Sequence, residues 1–306
     1  MAAVRPPSQP LTGRGVALML GSVASFGLMA ITIRLASAQM HPFEIAFFRN
    51  LFGLMFTVPL IVHAGLGMLR TRRLRLYFLR CLVGLGAMLT GFWALVHLPL
   101  AQAIALSYTT PLFVTILAVL VLGEVVRARR WSAIAIGFVG VLVILRPGVS
   151  GLNLAALVAI ASSALAASAA ISIKFLSRTE PPDAIVIWMV LIMTPLSLFP
   201  ALPVWTWPDG EGWLWVVLTG GLGTLGHVFL TRAYRIADVS ALQPLNFVQL
   251  PLVAMLAWLL FAERVDVWTL AGAGIIVAST AYIARREALL NRRQVSDPQV
   301  GSGQAP

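Results

Sequence analysis

Ala94–Glu124 reads ALVHLPLAQAIALSYTTPLFVTILAVLVLGE, and Ala233–Glu263 reads AYRIADVSALQPLNFVQLPLVAMLAWLLFAE. One constant offset pairs Ala94 with Ala233, Leu106 with Leu245, Val114 with Val253, Leu117 with Leu256, Ala118 with Ala257, Leu120 with Leu259 and Glu124 with Glu263. Both copies stay apolar over a length that crosses a bilayer core. The chain therefore divides into two related halves built of membrane-crossing helices, an arrangement that gives a pathway opening alternately to two sides.

The composition around this repeat agrees. Of 306 residues, 59% are hydrophobic and only 11% charged, and the mean hydropathy is +0.90. A soluble domain does not carry so much apolar surface with so few charges, so the chain is read as an all-α membrane protein. The net charge of +11 does not point to nucleic acid, because the arginines sit in short gaps between apolar runs and mark the cytoplasmic side. Cys81 is the only cysteine, which excludes an intrachain disulfide. No histidine or cysteine cluster has metal-ligand spacing, and no nucleotide-binding motif is present. Neither a metal nor a cofactor is expected.

Apolar runs of spanning length fall at about 15–36, 42–64, 76–97, 100–122, 131–147, 153–175, 184–203, 212–232, 239–261 and 267–284. With ten spans, Arg5 and Arg14, the Arg70–Arg80 cluster, Arg127 to Arg130, Lys174 and Arg178, Arg232 and Arg235, and Arg285 to Arg293 fall on one side. Only Arg34, Arg146 and Arg264 fall on the other. The excess places both termini in the cytoplasm of a cell whose inner membrane the chain crosses. Ala36-Ser37-Ala38 has the form of a signal-peptide cleavage site, but Arg34 before it and the spanning length argue for a retained helix. The expected organisation is a cytoplasmic segment 1–14, a five-helix repeat 15–148, a second repeat 151–285 and a disordered cytoplasmic tail 286–306. Because five is odd, the second repeat is inverted relative to the first.

The motif Pro111…Gly123-Glu124…Gly137…Gly140, with its counterpart Pro251…Ala262-Glu263…Gly272…Gly274, resembles the EamA type of the drug/metabolite transporter superfamily. The likeness covers both halves, with one departure: Pro251 lies one residue later than the offset requires. The resemblance implies export of small metabolites, with amino-acid exporters of the YddG type as near members.

Polar residues inside a bilayer are placed where protein or water surrounds them. Gln243, Asn246 and Gln249 share one helical face of the ninth span, and the offset pairs Asn246 with Ser107 and Gln249 with Thr110. These two stripes are expected to line a central substrate chamber, helix–helix hydrogen bonding being the competing role. Trp93 and Tyr108 wall it with aromatic surface. Pro111 and Pro251 bend the two helices and free carbonyls, as gate elements or as static kinks. Glu124 and Glu263 end equivalent helices and latch opposite gates through local arginines such as Arg127 or Arg264, or simply cap those ends. Arg34 and Lys174 are read as boundary anchors. Arg49 attracts a substrate carboxylate near the outer mouth, or pairs with Glu44 about one turn away, or snorkels to the outer surface.

No carboxylate falls near the middle of a span, so a carboxylate proton relay is missing and gradient-driven export is expected. His227 is the better placed of the intramembrane histidines to carry protons or bind substrate. The expected substrate is a zwitterion or neutral amphiphile, an amino acid above all, including aromatic and hydrophobic ones. A proton-coupled drug exporter and a passive channel are the alternatives. Gly148-Val149-Ser150-Gly151 matches a nucleophile pattern, but turn chemistry after Arg146-Pro147 explains it, and no enzyme is expected. The tryptophans at 205, 207, 213 and 215 read as an interfacial belt. The partners are then a small-molecule substrate and the lipid bilayer, with no nucleic acid and with oligomeric state open.

Overall fold

The computed structural model describes residues 13–64, 70–122, 128–146, 153–176, 179–180, 182–236 and 242–296. Among these the chain is helical, with no strand. The helices are α1 (Gly13–Ala36), α2 (Pro42–Ala64), α3 (Leu74–His97), α4 (Leu100–Ser107), α5 (Thr110–Leu122), α6 (Ala128–Leu145), α7 (Leu154–Leu176), α8 (Pro182–Ala201), α9 (Gly210–Ile236), a 3₁₀ stretch (Gln243–Val248) continuous with α10 (Gln249–Phe261), and α11 (Val267–Ser296). Six segments are long and apolar enough to cross a bilayer: Gly13–Ala36, Leu74–His97, Leu100–Val121, Leu154–Ile173, Ile187–Val204 and Gly210–Leu230. Trp131–Leu145, Leu245–Phe261 and Val267–Ile283 are shorter apolar stretches, and α2 is a helix of 23 residues.

Two expected helices differ in form. The fourth span is broken at Tyr108–Thr109, where N–H groups reach back three residues, from Tyr108 to the Ala105 oxygen (3.2 Å) and from Thr109 to the Leu106 oxygen (3.1 Å). Pro111 is the cause. It lacks the N–H that would close the next turn, and its ring opposes the Ser107 carbonyl. The ninth span opens as a 3₁₀ turn with Pro244 near its start. In that winding residues three apart eclipse one another, a closer alignment than an α-helix gives. The last helix also runs to Ser296, into the stretch expected as a disordered tail, since Glu287 to Leu290 are strong helix formers.

Packing follows the repeat. α1 lies along α9, and α3 lies along α7. Shifting each span by five exchanges these two pairs. The same exchange takes the contact of α2 with α9 into that of α3 with α8. It takes the contact of α5 with α7 into that of α1 with the 3₁₀ stretch and α10. The pair α4–α10 maps onto α5 with the 3₁₀ stretch, a contact not matched to the same extent among the described residues, whereas the pairs α2–α8 and α6–α11 map onto themselves. Glycine permits the last of these. A Cβ on Gly272 would stand 2.5 Å from the Gly140 oxygen, and one on Gly140 would stand 2.7 Å from the Gly272 oxygen. Lipid tails are as apolar as leucine, so such backbone approach is the attraction available between these helices.

Candidate functional site

The two broken helices meet at their breaks. Tyr108 is buried, and its hydroxyl donates to the Asn246 carbonyl at 3.2 Å. Its ring sits edge-on to Phe247 at 5.1 Å. The hydroxyls beside Tyr108 cap carbonyls that the break leaves open: Thr110 Oγ1 donates to the Ser107 oxygen (2.8 Å), Thr109 Oγ1 to the Leu106 oxygen (2.7 Å), and Ser107 Oγ to the Ile104 oxygen (2.7 Å). Ser163 of α7 adds a second donor to Leu106. Ser107 is exposed and Thr110, Asn246 and Gln249 are half-exposed, whereas Pro251 and Trp258 face outward. Trp93 packs against the same apolar cluster as Tyr108, with its ring stacked 4.0 Å from that of His97. The side chain of Gln243, and the whole of Glu124, Arg127 and Ser150, lie outside the described residues.

Glu263 has a different partner from the expected one. Its carboxylate takes Arg34 of α1 at 3.1 Å, and accepts from the Leu100 N–H at the start of α4 at 2.8 Å. Arg34 also donates to the carbonyls of Leu95 and Leu98, at the end of α3. Arg34 is thus no boundary anchor. It ties α1, α3, α4 and the end of α10 together with about four-fifths of its side chain covered. A second pair, Arg146 with Asp266, closes the neighbouring ends of α6 and α11.

Arg49 does not pair with Glu44. That carboxylate is fully buried and accepts from the His41 N–H (3.1 Å), the Thr206 N–H (2.7 Å) and the Thr206 hydroxyl (3.0 Å). Arg49 instead donates to Asn50 Oδ1 at 3.0 Å and lies flat on α9. A Cβ on Gly223 would stand 3.0 Å from Arg49 Nε and 3.1 Å from Met29 Sδ. One turn further along α9, His227 meets Phe26 of α1 edge-on at 5.0 Å. Its charged neighbours are Arg49 and Arg80. Arg49 and His227 are each partly accessible.

Arg80 escaped the sequence reading, which grouped it with the loop arginines. It is 7% exposed, and its Nη1 reaches Met193 Sδ of α8 at 3.9 Å. The signal that would have marked it is Gly84 four residues on, which leaves room for a long side chain to lie along the helix: a Cβ there would stand 3.7 Å from Arg80 Nη1.

Apolar helices in a duplicated bundle, broken at matched positions around enclosed polar groups, define a membrane transporter. The chain belongs to the EamA-like transporter family, whose profile matches residues 13–146 and again 153–285. It is 32% identical to a riboflavin transporter of Vibrio cholerae, over 92% of this chain and 96% of that one. It is 29% identical to an S-adenosylmethionine uptake transporter of Rickettsia felis (89% and 93%). It is also 29% identical to a pseudopaline exporter of Pseudomonas aeruginosa (89% and 96%).

Proposed function

We propose that the protein is a secondary transporter that moves a small metabolite with a planar nitrogen heterocycle across the inner membrane by alternating access. Riboflavin and S-adenosylmethionine, named for two of its relatives, share such a ring on a sugar-derived chain. Amino acids, aromatic ones included, are the smaller members of the same amphiphilic class. The reading adopts ten spans in two inverted halves with cytoplasmic termini. Exchange of the packing pairs on shifting by five and the one-sided arginines support it. The expected direction is export. The relatives' names include both uptake and export, which fits a gradient-driven carrier whose direction the solute gradient sets.

The observation that carries the reading is the contact of the two broken helices at Tyr108 and Asn246, one from each half. Substrate is placed between these breaks and the Arg49–His227 space, lined by Tyr108, Asn246, Gln249 and the half-exposed aromatics. α4 rests on α10, whereas α5 makes no comparable contact with the 3₁₀ stretch among the described residues. The chamber is therefore shut at the Arg34–Glu263 end and splayed at the other. Counterflow in proteoliposomes tests the reading, with labelled riboflavin, S-adenosylmethionine and phenylalanine. Saturable flux stimulated by solute on the opposite side is expected for at least one heterocycle. Flux without saturation or trans-stimulation would make it a channel. Exchange driven by a pH gradient, and uncoupled by His227→Ala, would replace the gradient-driven mechanism with proton antiport.

A further inference from the structure

Two guanidinium groups enter the interior of this bundle with no carboxylate paired to them among the described residues. Among the described residues Glu44, Glu180, Glu263 and Asp266 have other partners, and Asp209 and Glu211 are exposed at the start of α9. Glu44 holds His41 and Thr206. Glu180 holds Thr71 and Tyr77. Glu263 holds Arg34, and Asp266 holds Arg146. An arginine at the centre of a membrane costs about 2.5–3.5 kcal/mol on insertion scales, and the usual escape is to snorkel to the nearer surface. Arg80 does the reverse. It enters α3 six residues after Leu74, where loop arginines cluster, and its guanidinium runs onward past Gly84 toward the centre. Among the described residues its Nη1 has the soft sulfur of Met193 as hydrogen-bond partner, while its Nε is buried with no hydrogen-bond partner.

The two arginines are linked through α2 and one stretch of α8. Met193 touches Arg80, and the next residue of α8, Thr194, donates to the Asn50 carbonyl at 3.4 Å. Asn50 in turn accepts from Arg49 and donates to Ser197 at 3.1 Å. His227 stands where both positive charges act on it. The repeat does not duplicate the arrangement: the counterpart of Arg49 is Trp188, which packs on Tyr77. Such an asymmetric pair of charges has no structural purpose that the symmetric packing requires.

We propose that Arg49 and Arg80, together with His227, form an anion-recognition site inside the bundle that takes a carboxylate or phosphate group of the transported solute. The planar donor forks suit two oxygens each, and such an interaction is stronger away from bulk water than in it. This deepens the transporter reading and rests on it for the identity of the occupant. The site itself is tested without flux.

The test uses the full chain in phosphatidylcholine nanodiscs, titrated with sodium phosphate and sodium acetate at fixed ionic strength, with the unfolding temperature as readout. A saturable rise is expected. Arg49→Gln and Arg80→Gln should each move half-saturation up by roughly tenfold or more, the loss of one charge-assisted hydrogen bond. Arg80→Lys should keep part of the response, and the exposed loop variant Arg72→Gln should keep all of it. If Arg80→Gln fails to fold, Arg49→Gln decides alone. No saturable rise, or one that both glutamine variants retain, overturns the site. A response that appears only when phosphatidylglycerol is added assigns these arginines to lipid headgroups and also overturns it. A phosphate response beside absent counterflow would sink the proposed substrate class and leave the site standing.

Discussion

Glu263 carries two bonds that a single substitution separates. Its carboxylate neutralises Arg34 and also caps the first turn of α4 through the Leu100 N–H. Glu263→Gln keeps an oxygen for the cap and loses the charge. Glu263→Ala loses both and leaves Arg34 with only the carbonyls of Leu95 and Leu98. A hydrogen bond to a charged group contributes about 1.5–3 kcal/mol. Glu263→Ala should therefore destabilise by about that amount, with Glu263→Gln clearly milder, measured by denaturant unfolding in micelles. Equal effects of the two would show that the cap matters and the charge does not. The role of Glu263 was half legible in the sequence. Its place at the end of a repeated helix marked it as a latch, but the neighbouring Arg264 looked like the natural partner. Arg34 is brought to it only by the packing of α1 on α10, which no local pattern records. Arg80 was hidden for a similar reason. An arginine near others at a helix end resembles a snorkelling group, and only the tertiary structure reveals which way it runs.

At the scale of elements, the pairing of α6 with α11 depends on two glycines rather than on side-chain mass. Gly272→Ala must displace the Gly140 carbonyl or the Ile144 side chain, both 2.5 Å from the new methyl group. Neither can yield without separating the helices, so a loss of about 1–3 kcal/mol is expected. Gly274 is the control. A Cβ there meets nothing within 4 Å, and alanine should be neutral or stabilising by up to about 1 kcal/mol through helix propensity. A Gly272→Ala protein as stable as the wild type would refute the close approach. A second device ends α10, where Ala262 takes the left-handed conformation at φ 54°. The repeat places Gly123 at the equivalent position, and glycine occupies that conformation without the Cβ penalty. Ala262→Gly should accordingly raise stability by about 1 kcal/mol in the same assay. These elements were readable in outline, since the glycines of the repeated motif recur in the fifth and tenth spans. The breaks at Tyr108 and Gln243 were less so: proline announced a bend, but whether a bend becomes a kink, a gap or a 3₁₀ turn depends on the hydroxyls that cap the freed carbonyls.

Taken as a whole molecule, the duplication is legible because both copies face the same physical demand, an apolar exterior of fixed length, and so keep similar residues. What breaks the symmetry is chemistry confined to one copy: Arg49 opposite Trp188, and an ion pair that closes one end of the bundle. That closure has a consequence for alternating access. Arg34 and Glu263 join α1, α3, α4 and α10 at the end where α4 meets α10. If a pair of this kind favours the closed state by about 1.5–3 kcal/mol, its removal shifts the open population by roughly tenfold to a hundredfold. Cys81 is the only cysteine, so a Cys81→Ser background is blind to thiol reagents. Ala103→Cys introduces a thiol at a position of α4 that is 6% exposed. In intact cells a membrane-impermeant maleimide should label it slowly. Arg34→Gln should raise the rate at least tenfold, and saturating transported solute should alter it. Labelling that is slow and identical with and without Arg34 would mean that the pair fastens the bundle permanently rather than gating it, and the closed end would have to open elsewhere.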